Sequence, residues 1–342
     1  MSVLVTGSTG FVGKHIVKQL LERQYDVIAA TRNEEKSNIL LKQFNNPHLK
    51  CFVTGDASRA DSYEEVFKIH GNEIKHVIHC AFPLKMDAKN FEKEILITAK
   101  NSMEGLLNCI EKYGKNTFEN LVMTSGLLVL IDPSKMGDHS VVFNEDSWNP
   151  VTWDSAKNDF LSAISGAKKH AEQLGWEFYN QRKDASNFKF TSIIPSNILG
   201  PQVFDEDVHE HLNASNEVIN QLIHCTEVGD IVPFANLCVH VDDVARAHIL
   251  PLMNNSPMIG NRVIVSASNF NTQDILNYLN DDFDVLRGKI PVGKRDDAIE
   301  KKSIGATIES SKSLELLNFK LKSLRECIDD TASQVLRHDG KL

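Results

Sequence analysis

Three glycines near the start of the chain, Gly7, Gly10 and Gly13, follow the apolar run Ser2–Thr6. They open a stretch in which Phe11, Ile16, Val17, Leu20 and Leu21 recur at helical spacing. That arrangement has a chemical use. The first glycine permits a tight turn, the second lets backbone approach a pyrophosphate, and the third allows close strand-to-helix packing. The helix start then offers oriented N–H donors to the anion. Thr9, Phe11 and Val12 belong to the same turn and are expected to share the contact. Three glycines alone would also suit an ordinary turn; strand, spacing and helix in register favour a dinucleotide.

The residues after the second apolar run discriminate between cofactors. Proteins that bind NAD usually end that strand in Asp or Glu, which receives the ribose hydroxyls. Here Val27–Thr31 leads into Arg32 with no acid, and Lys36 comes in the next turn. A guanidinium makes several directed hydrogen bonds to phosphate, so NADP(H) is expected in preference to NAD(H). Glu34 and Glu35 leave a solvated helix start open as the alternative. Asp56 and Ala57 follow the third run, where an acid often meets adenine; a simple turn or cap is equally open for Asp56. Cys80 and Ala81 follow the fourth, where backbone would pass beneath the cofactor.

Such residues need a sheet that brings several strand ends to one edge. Short β-rich runs at 2–6, 27–31, 50–54, 76–79 and 121–124 alternate with amphipathic stretches at 11–23 and 95–113. That order predicts an α/β, Rossmann-type, doubly wound parallel sheet. Residues 132–155 read as an irregular excursion, 156–182 as a helix and 188–194 as a strand. From Ser196 to Phe234 prolines and glycines interrupt helical patches, as expected of a small C-terminal substrate-binding lobe. Strand, helix and strand then occupy 238–241, 242–253 and 262–266, with later helices at 272–279 and 323–337. The division expected is therefore 1–195 for the nucleotide domain and 196–342 for the lobe, with 236–266 returning to the main core.

Composition narrows the partners. The 342 residues carry a formal charge of −9, which argues against a nucleic-acid binder, since phosphate affinity needs a basic patch. Six cysteines lie far apart without metal-ligand spacing. The His209-Glu210-His211 run lacks a further placed ligand, so no metal is expected. Asp205, Glu206 and Asp207 read as a solvated acidic turn. No apolar run approaches the roughly 20 residues of a membrane helix, and the first residues show no basic leader. A cytoplasmic protein without membrane contact is the expectation.

Longer strings add to this reading. GSTGFVG, the Arg32 turn, HVIHCAFP, NEDSWNP, GAKKHAEQLGWEF, PSNILGPQVFDEDVHEHLN, HVDDVARAH and DDTASQVL resemble the extended short-chain dehydrogenase/reductase superfamily. Within it the chain resembles fungal NADPH-dependent carbonyl reductases of the methylglyoxal or isovaleraldehyde type, themselves similar to dihydroflavonol reductases. The likeness covers nearly the whole chain. It implies a seven-stranded or similar parallel sheet, NADPH as hydride donor, a small aldehyde or ketone as substrate, and a monomer or homodimer. It also implies that Pro195 reaches the cofactor and that Phe82, Leu127, Ile131 and Asn197 line the substrate pocket.

The resemblance further implies a Ser–Tyr–Lys set, in which Ser orients the carbonyl, Tyr supplies the proton, and Lys lowers the Tyr pKa and holds the nicotinamide ribose. Carried onto this chain, the lysine is Lys168, the tyrosine position falls on Ile164 and the serine position on Gly126. Ser125 stands one place early, and adjacent strand residues point in opposite directions. Isoleucine donates no proton, so efficient reduction by the family route is not expected. A relocated donor remains open, with Ser165, His170, Cys80 and Asn197 as positions to compare. An active aldehyde or ketone reductase using such a donor is the alternative.

Overall fold

In a computed structural model, residues 2–114, 117–184, 187–300 and 305–342 are described. Strand β1 (Ser2–Thr6), helix α1 (Phe11–Glu22), β2 (Asp26–Thr31), α2 (Glu34–Phe44), β3 (Leu49–Val53), α3 (Glu64–His70) and β4 (Ile74–His79) form the first half of the chain's main layer. It continues with α4 (Ile97–Tyr113) and β5 (Asn120–Thr124). After the two-residue strand β6 (Val142–Phe143) come α5 (Phe160–Arg182) and β7 (Lys189–Pro195). The C-terminal part contains β8 (Asn197–Leu199), α6 (Glu217–His224), β9 (Ala235–His240), α7 (Val241–Ile249), β10 (Arg262–Val265) and β11 (Ser268–Asn271). It ends with α8 (Thr272–Asp282), β12 (Thr307–Ile308), α9 (Ser311–Leu317) and α10 (Leu324–His338).

Seven strands pair in the order β10-β7-β5-β4-β1-β2-β3, all in parallel. Strand alternation assigns the two faces. Val3 and Val5 pack with Ile16, Val17 and Leu20 of α1 and Val244 of α7. Leu4 points the other way, into a cluster with Phe67, Met103, Leu106 and Phe190. Both faces are covered, as parallel sheets require.

A smaller sheet of order β11-β9-β8 carries the lobe's own core, in which Leu199, Phe270, Leu276 and Ile328 meet. The expected return of 236–266 therefore divides. Residues 235–240 pair within the small sheet, with Cys238 in the lobe's cluster and Val239 in the main one, while α7 and β10 join the main layer. Leu317 of α9 also returns to that layer.

Local boundaries shift for readable reasons. Helix α5 begins at Phe160 rather than 156, because the Asp159 carboxylate accepts the Ser162 N–H at 2.9 Å and caps it. Helices α2, α3 and α9 were not expected from the apolar pattern, each being a short helix that buries only two residues, whereas α6 is one of the helical patches expected between Ser196 and Phe234.

Candidate nucleotide and carbonyl site

The glycine turn connects β1 to α1, and its three glycines have different geometric reasons. Gly7 has φ +66°, and a Cβ there would lie 2.8 Å from the Ala81 nitrogen. A Cβ on Gly13 would lie 2.1 Å from the Gly7 carbonyl oxygen. Gly10 is exposed, and its only close neighbour would be the Gly7 oxygen at 3.3 Å. Two glycines thus serve packing, and the third leaves the backbone open to a ligand. Gly10 is also the N-cap of α1, which has neither a side-chain cap nor an acid in its first turn. The first-turn N–H groups of Phe11, Val12 and Gly13 suit an anion, with half-buried Thr9 beside them.

Strand ends β1 and β4 are tied together under this turn. The Ala81 N–H donates to the Thr6 hydroxyl at 3.2 Å. The same hydroxyl meets His79 Nδ1 at 2.8 Å. Burial lowers His79 to about 4, so the imidazole is neutral.

Arg32 is exposed beyond β2, and Lys36 is exposed in the first turn of α2. Asn33 caps that helix by accepting the Lys36 N–H at 2.9 Å. Asp56 is exposed beyond β3; the Ser58 backbone N–H, at 3.0 Å from its Oδ1, holds the carboxyl low, with help from Arg32. Ala57 packs on the apolar cluster beneath.

At the end of β5 the two candidate serine positions separate. Ser125 is buried, and its hydroxyl donates to Glu172 Oε2 at 2.6 Å. Glu172, fully buried, accepts from Arg262 Nε at 2.7 Å and Trp176 Nε1 at 3.1 Å. Arg262 in turn donates to the Glu145 and Ser147 carbonyls at 2.7 and 2.6 Å and lies 3.7 Å over the Trp148 ring. Ser125 is therefore committed to the anchor that fastens α5 and the NEDSWNP loop.

Gly126 behaves differently. Its backbone is extended (φ 173°, ψ 161°), which any residue adopts. A Cβ there would sit 4.0 Å from Lys168 Cδ and 3.9 Å from the Pro195 carbonyl oxygen, so Gly126 faces Lys168 across a gap of ordinary contact distance.

Ile164, half-buried, stands one turn before Lys168 on α5. Lys168 Nζ lies 4.3 Å over the Phe82 ring and 3.4 Å from the Ser125 carbonyl oxygen. Burial lowers it to about 8, against the opposing pull of the Glu172 charge.

Of the alternative donors, Ser165, His170 and Cys80 are engaged elsewhere or face away. Ser165 donates to the Leu161 carbonyl at 2.9 Å. His170 packs 5.2 Å from the Trp153 ring, about 200° around the helix from Lys168. Burial pushes the Cys80 thiol up to about 12, and Thr124 contacts its sulfur at 3.1 Å. The Val244 carbonyl accepts from His248 Nδ1 at 2.7 Å, so Nε2 accepts the Thr124 hydroxyl at 2.7 Å.

Of the expected pocket residues, Leu127 and Ile131 join one apolar cluster that also holds Leu237. Phe82 packs in a neighbouring cluster, and Asn197 opens β8, half-buried. Leu237, which the alternation of β9 could have suggested, was missed. So was a link behind the glycine turn: Asp207 pairs with Lys14 at 2.5 Å and accepts from Gln43 at 3.1 Å. Asp207 therefore corrects the reading of 205–207 as a solvated acidic turn; a lysine on the buried side of α1 draws it in. A cavity of about 510 Å³ lined by Ile231, Phe234, Thr272 and Leu276 contains none of the site residues above. Among the described residues no group of three His, Cys, Asp or Glu is placed to hold a metal, and no helix is long and apolar enough to cross a membrane.

Residues 3–130 match the NAD dependent epimerase/dehydratase family. Over its whole length the chain is 42% identical to the NADPH-dependent methylglyoxal reductase GRE2 of Saccharomyces cerevisiae, covering all of both chains. The chain belongs to the extended short-chain dehydrogenase/reductase family. Within this family its fold resembles the crystal structure of yeast methylglyoxal/isovaleraldehyde reductase Gre2 complexed with NADPH, with a TM-score of 0.95 over 100% of each chain. The Gre2–NADPH complex from Candida albicans gives 0.92 at 33% identity over 99% of each chain. Dihydroflavonol 4-reductase of Dianthus caryophyllus is 26% identical over 94% of this chain and 83% of its own.

Proposed function

We propose that this protein is an NADP(H)-binding member of the methylglyoxal-reductase branch in which family-type carbonyl reduction is inefficient. One observation carries the reading: Lys168 faces Gly126 and follows Ile164 by one turn, so neither neighbouring position offers a hydroxyl. NADP(H) is supported by the open backbone at Gly10, the uncapped α1 and the exposed Arg32 beyond β2. It is supported too by the NADPH complexes of the similar reductases. In this reading Arg32 and Lys36 meet the 2′-phosphate, Asp56 and Ala57 flank adenine, and Cys80, Ala81 and Pro195 run beneath the nicotinamide half. Lys168 holds the adjoining ribose. The cofactor supplies hydride; the chain binds it and keeps a cation near the reacting end.

Losing a positioned general acid costs about 100- to 10,000-fold in rate. Purified protein titrated with NADPH and assayed on a panel of aldehydes and ketones tests the reading. Binding with weak or no NADPH oxidation is expected; rapid oxidation, abolished by a glycine-turn variant, refutes the inefficiency.

A second reading is an active aldehyde or ketone reductase with a non-standard donor. It is favoured by Lys168 itself, whose ammonium is lowered to about 8 and so lies in the range useful for general-acid work. Turnover that disappears in Lys168→Met while NADPH still binds would support it.

A further inference from the structure

Lysines drawn into this fold are tied down, with one exception. Lys14 pairs with Asp207 at 2.5 Å, and Lys322 pairs with Asp242 and Asp330 at 3.1 Å each. Lys169 donates to the Asn149 and Val151 carbonyls at 2.8 Å each. Lys168, its neighbour on α5, points about 100° away around the helix. Among the described residues its polar contact is the Ser125 carbonyl at 3.4 Å, and none of the ion pairs includes it. Glu172, one turn along, is already taken by Ser125, Trp176 and Arg262.

The groups around this amine are apolar, and the space beside it is open. Its Nζ lies 4.3 Å from the Phe82 ring centroid, a face that attracts a cation but accepts no conventional hydrogen bond. A Cβ on Gly126 would find only the Pro195 oxygen and Lys168 Cδ within 4 Å. Phe82, Gly126, Ile164 and Lys168 are each half-buried, so solvent and small solutes reach them. Gly126 also lies just beyond β5, on the carboxyl edge along which open α/β sheets take their ligands.

An ammonium without an anion in such surroundings gives up its proton readily, which is how lysine becomes a nucleophile toward carbonyls. Burial brings Lys168 to about 8. At pH 7 about a tenth of it is free amine, against roughly one part in 3,000 of an ordinary lysine.

We propose that, in the nucleotide-free protein, the Lys168 amine captures an aldehyde as an imine in the open space before Gly126. The nitrogen lone pair adds to the carbonyl carbon and the C=O π pair passes to oxygen. A proton moves from nitrogen to that oxygen to give a carbinolamine. Loss of the hydroxyl with the remaining N–H proton, as water, leaves C=N. Amine and aldehyde thus become imine and water with no change in oxidation state, and solvent carries the protons. The inference rests on the reading above in one respect: a nucleotide whose ribose is held by Lys168 competes with the aldehyde.

Reductive trapping tests this. The full-length protein is incubated at pH 7 with butanal and sodium cyanoborohydride, which delivers hydride to the imine carbon while nitrogen takes a proton, fixing a butylamine. Peptide mapping by mass spectrometry then gives the rate at each lysine. Lys168 should be butylated at least about 10-fold faster than Lys169 or the exposed Lys18 and Lys50, the gain in free amine less the lower nucleophilicity of a weaker base. Its rate should level off above about pH 8, and Lys168→Arg should remove the fast fraction from the intact mass. Lys168 labelled no faster than those lysines, a rate still climbing at pH 10, or a fast fraction that survives in Lys168→Arg overturns the proposal. Saturating NADPH, its binding followed separately by fluorescence, should slow Lys168 and leave Lys50 unchanged. Bound NADPH that fails to slow Lys168 sinks the ribose contact alone, no NADPH binding sinks the cofactor assignment, and an unreactive Lys168 in a protein that binds NADPH sinks the imine alone.

Discussion

Restoring the missing hydroxyls is the most demanding mutational consequence, and the structure sets its terms. In Gly126→Ser the new Cβ meets only the Pro195 oxygen at 3.9 Å and Lys168 Cδ at 4.0 Å. The backbone at φ 173° is already suited to serine, so the change brings neither clash nor strain. In Ile164→Tyr the phenol replaces a half-buried side chain one turn from Lys168. Lys168, lowered to about 8, is mostly charged at pH 7 and favours the phenolate, bringing the phenol toward a useful acid range. A positioned general acid is worth about 100- to 10,000-fold. The double variant should therefore reduce methylglyoxal with kcat/KM at least about 100-fold above the unmodified protein, followed as NADPH consumption. Each single variant should recover less, since the two groups act on one carbonyl. A folded, NADPH-binding double variant no faster than the starting protein would refute the reasoning.

Further outcomes rest on the same geometry. Arg32→Ala should weaken NADPH by about 10- to 100-fold through loss of a charge-assisted contact, while NADH affinity stays unchanged in the same titration. Gly7→Ala should lower stability by about 1–3 kcal/mol, because a side chain at φ +66° is strained and its Cβ would crowd Ala81; Gly10→Ala should keep the melting temperature and lose nucleotide affinity instead. Glu172→Gln leaves the buried Arg262 without its anion, a change of about 3–5 kcal/mol by denaturant melts. Lys168 is depressed from 10.5 to about 8 by burial, so the unfolded chain binds its proton more tightly. Its charge therefore costs stability below pH 8, and the cost fades as pH rises from 8 to 10.5. Lys168→Met should accordingly gain melting temperature over the unmodified protein below pH 8, with the gap closing toward pH 10.5.

Much of the fold was legible because its physics is local. Strand β1 was read with its exact bounds, and β2, β4 and β5 differ only at their starts, since apolar runs bounded by turns leave little choice. The close packing at Gly7 and Gly13 was legible from glycine spacing taken together with the strand before it and the helix after it. Helices α2 and α3 were not legible, because their tertiary neighbours supply the burial that a short amphipathic pattern only hints at. The displacement of Ser125 could be expected from strand alternation, but not its partner: Glu172 and Arg262 are 90 positions apart in the chain and meet only through β10.

Titration of the purified protein with NADPH and, in parallel, NADH by calorimetry is the most direct measurement. Saturable binding of NADPH, at least about 10-fold tighter than NADH as a 2′-phosphate contact with Arg32 requires, is the result expected. No heat and no thermal protection at saturating NADPH, or equal affinity for the two nucleotides, would contradict the assignment on which the rest is built.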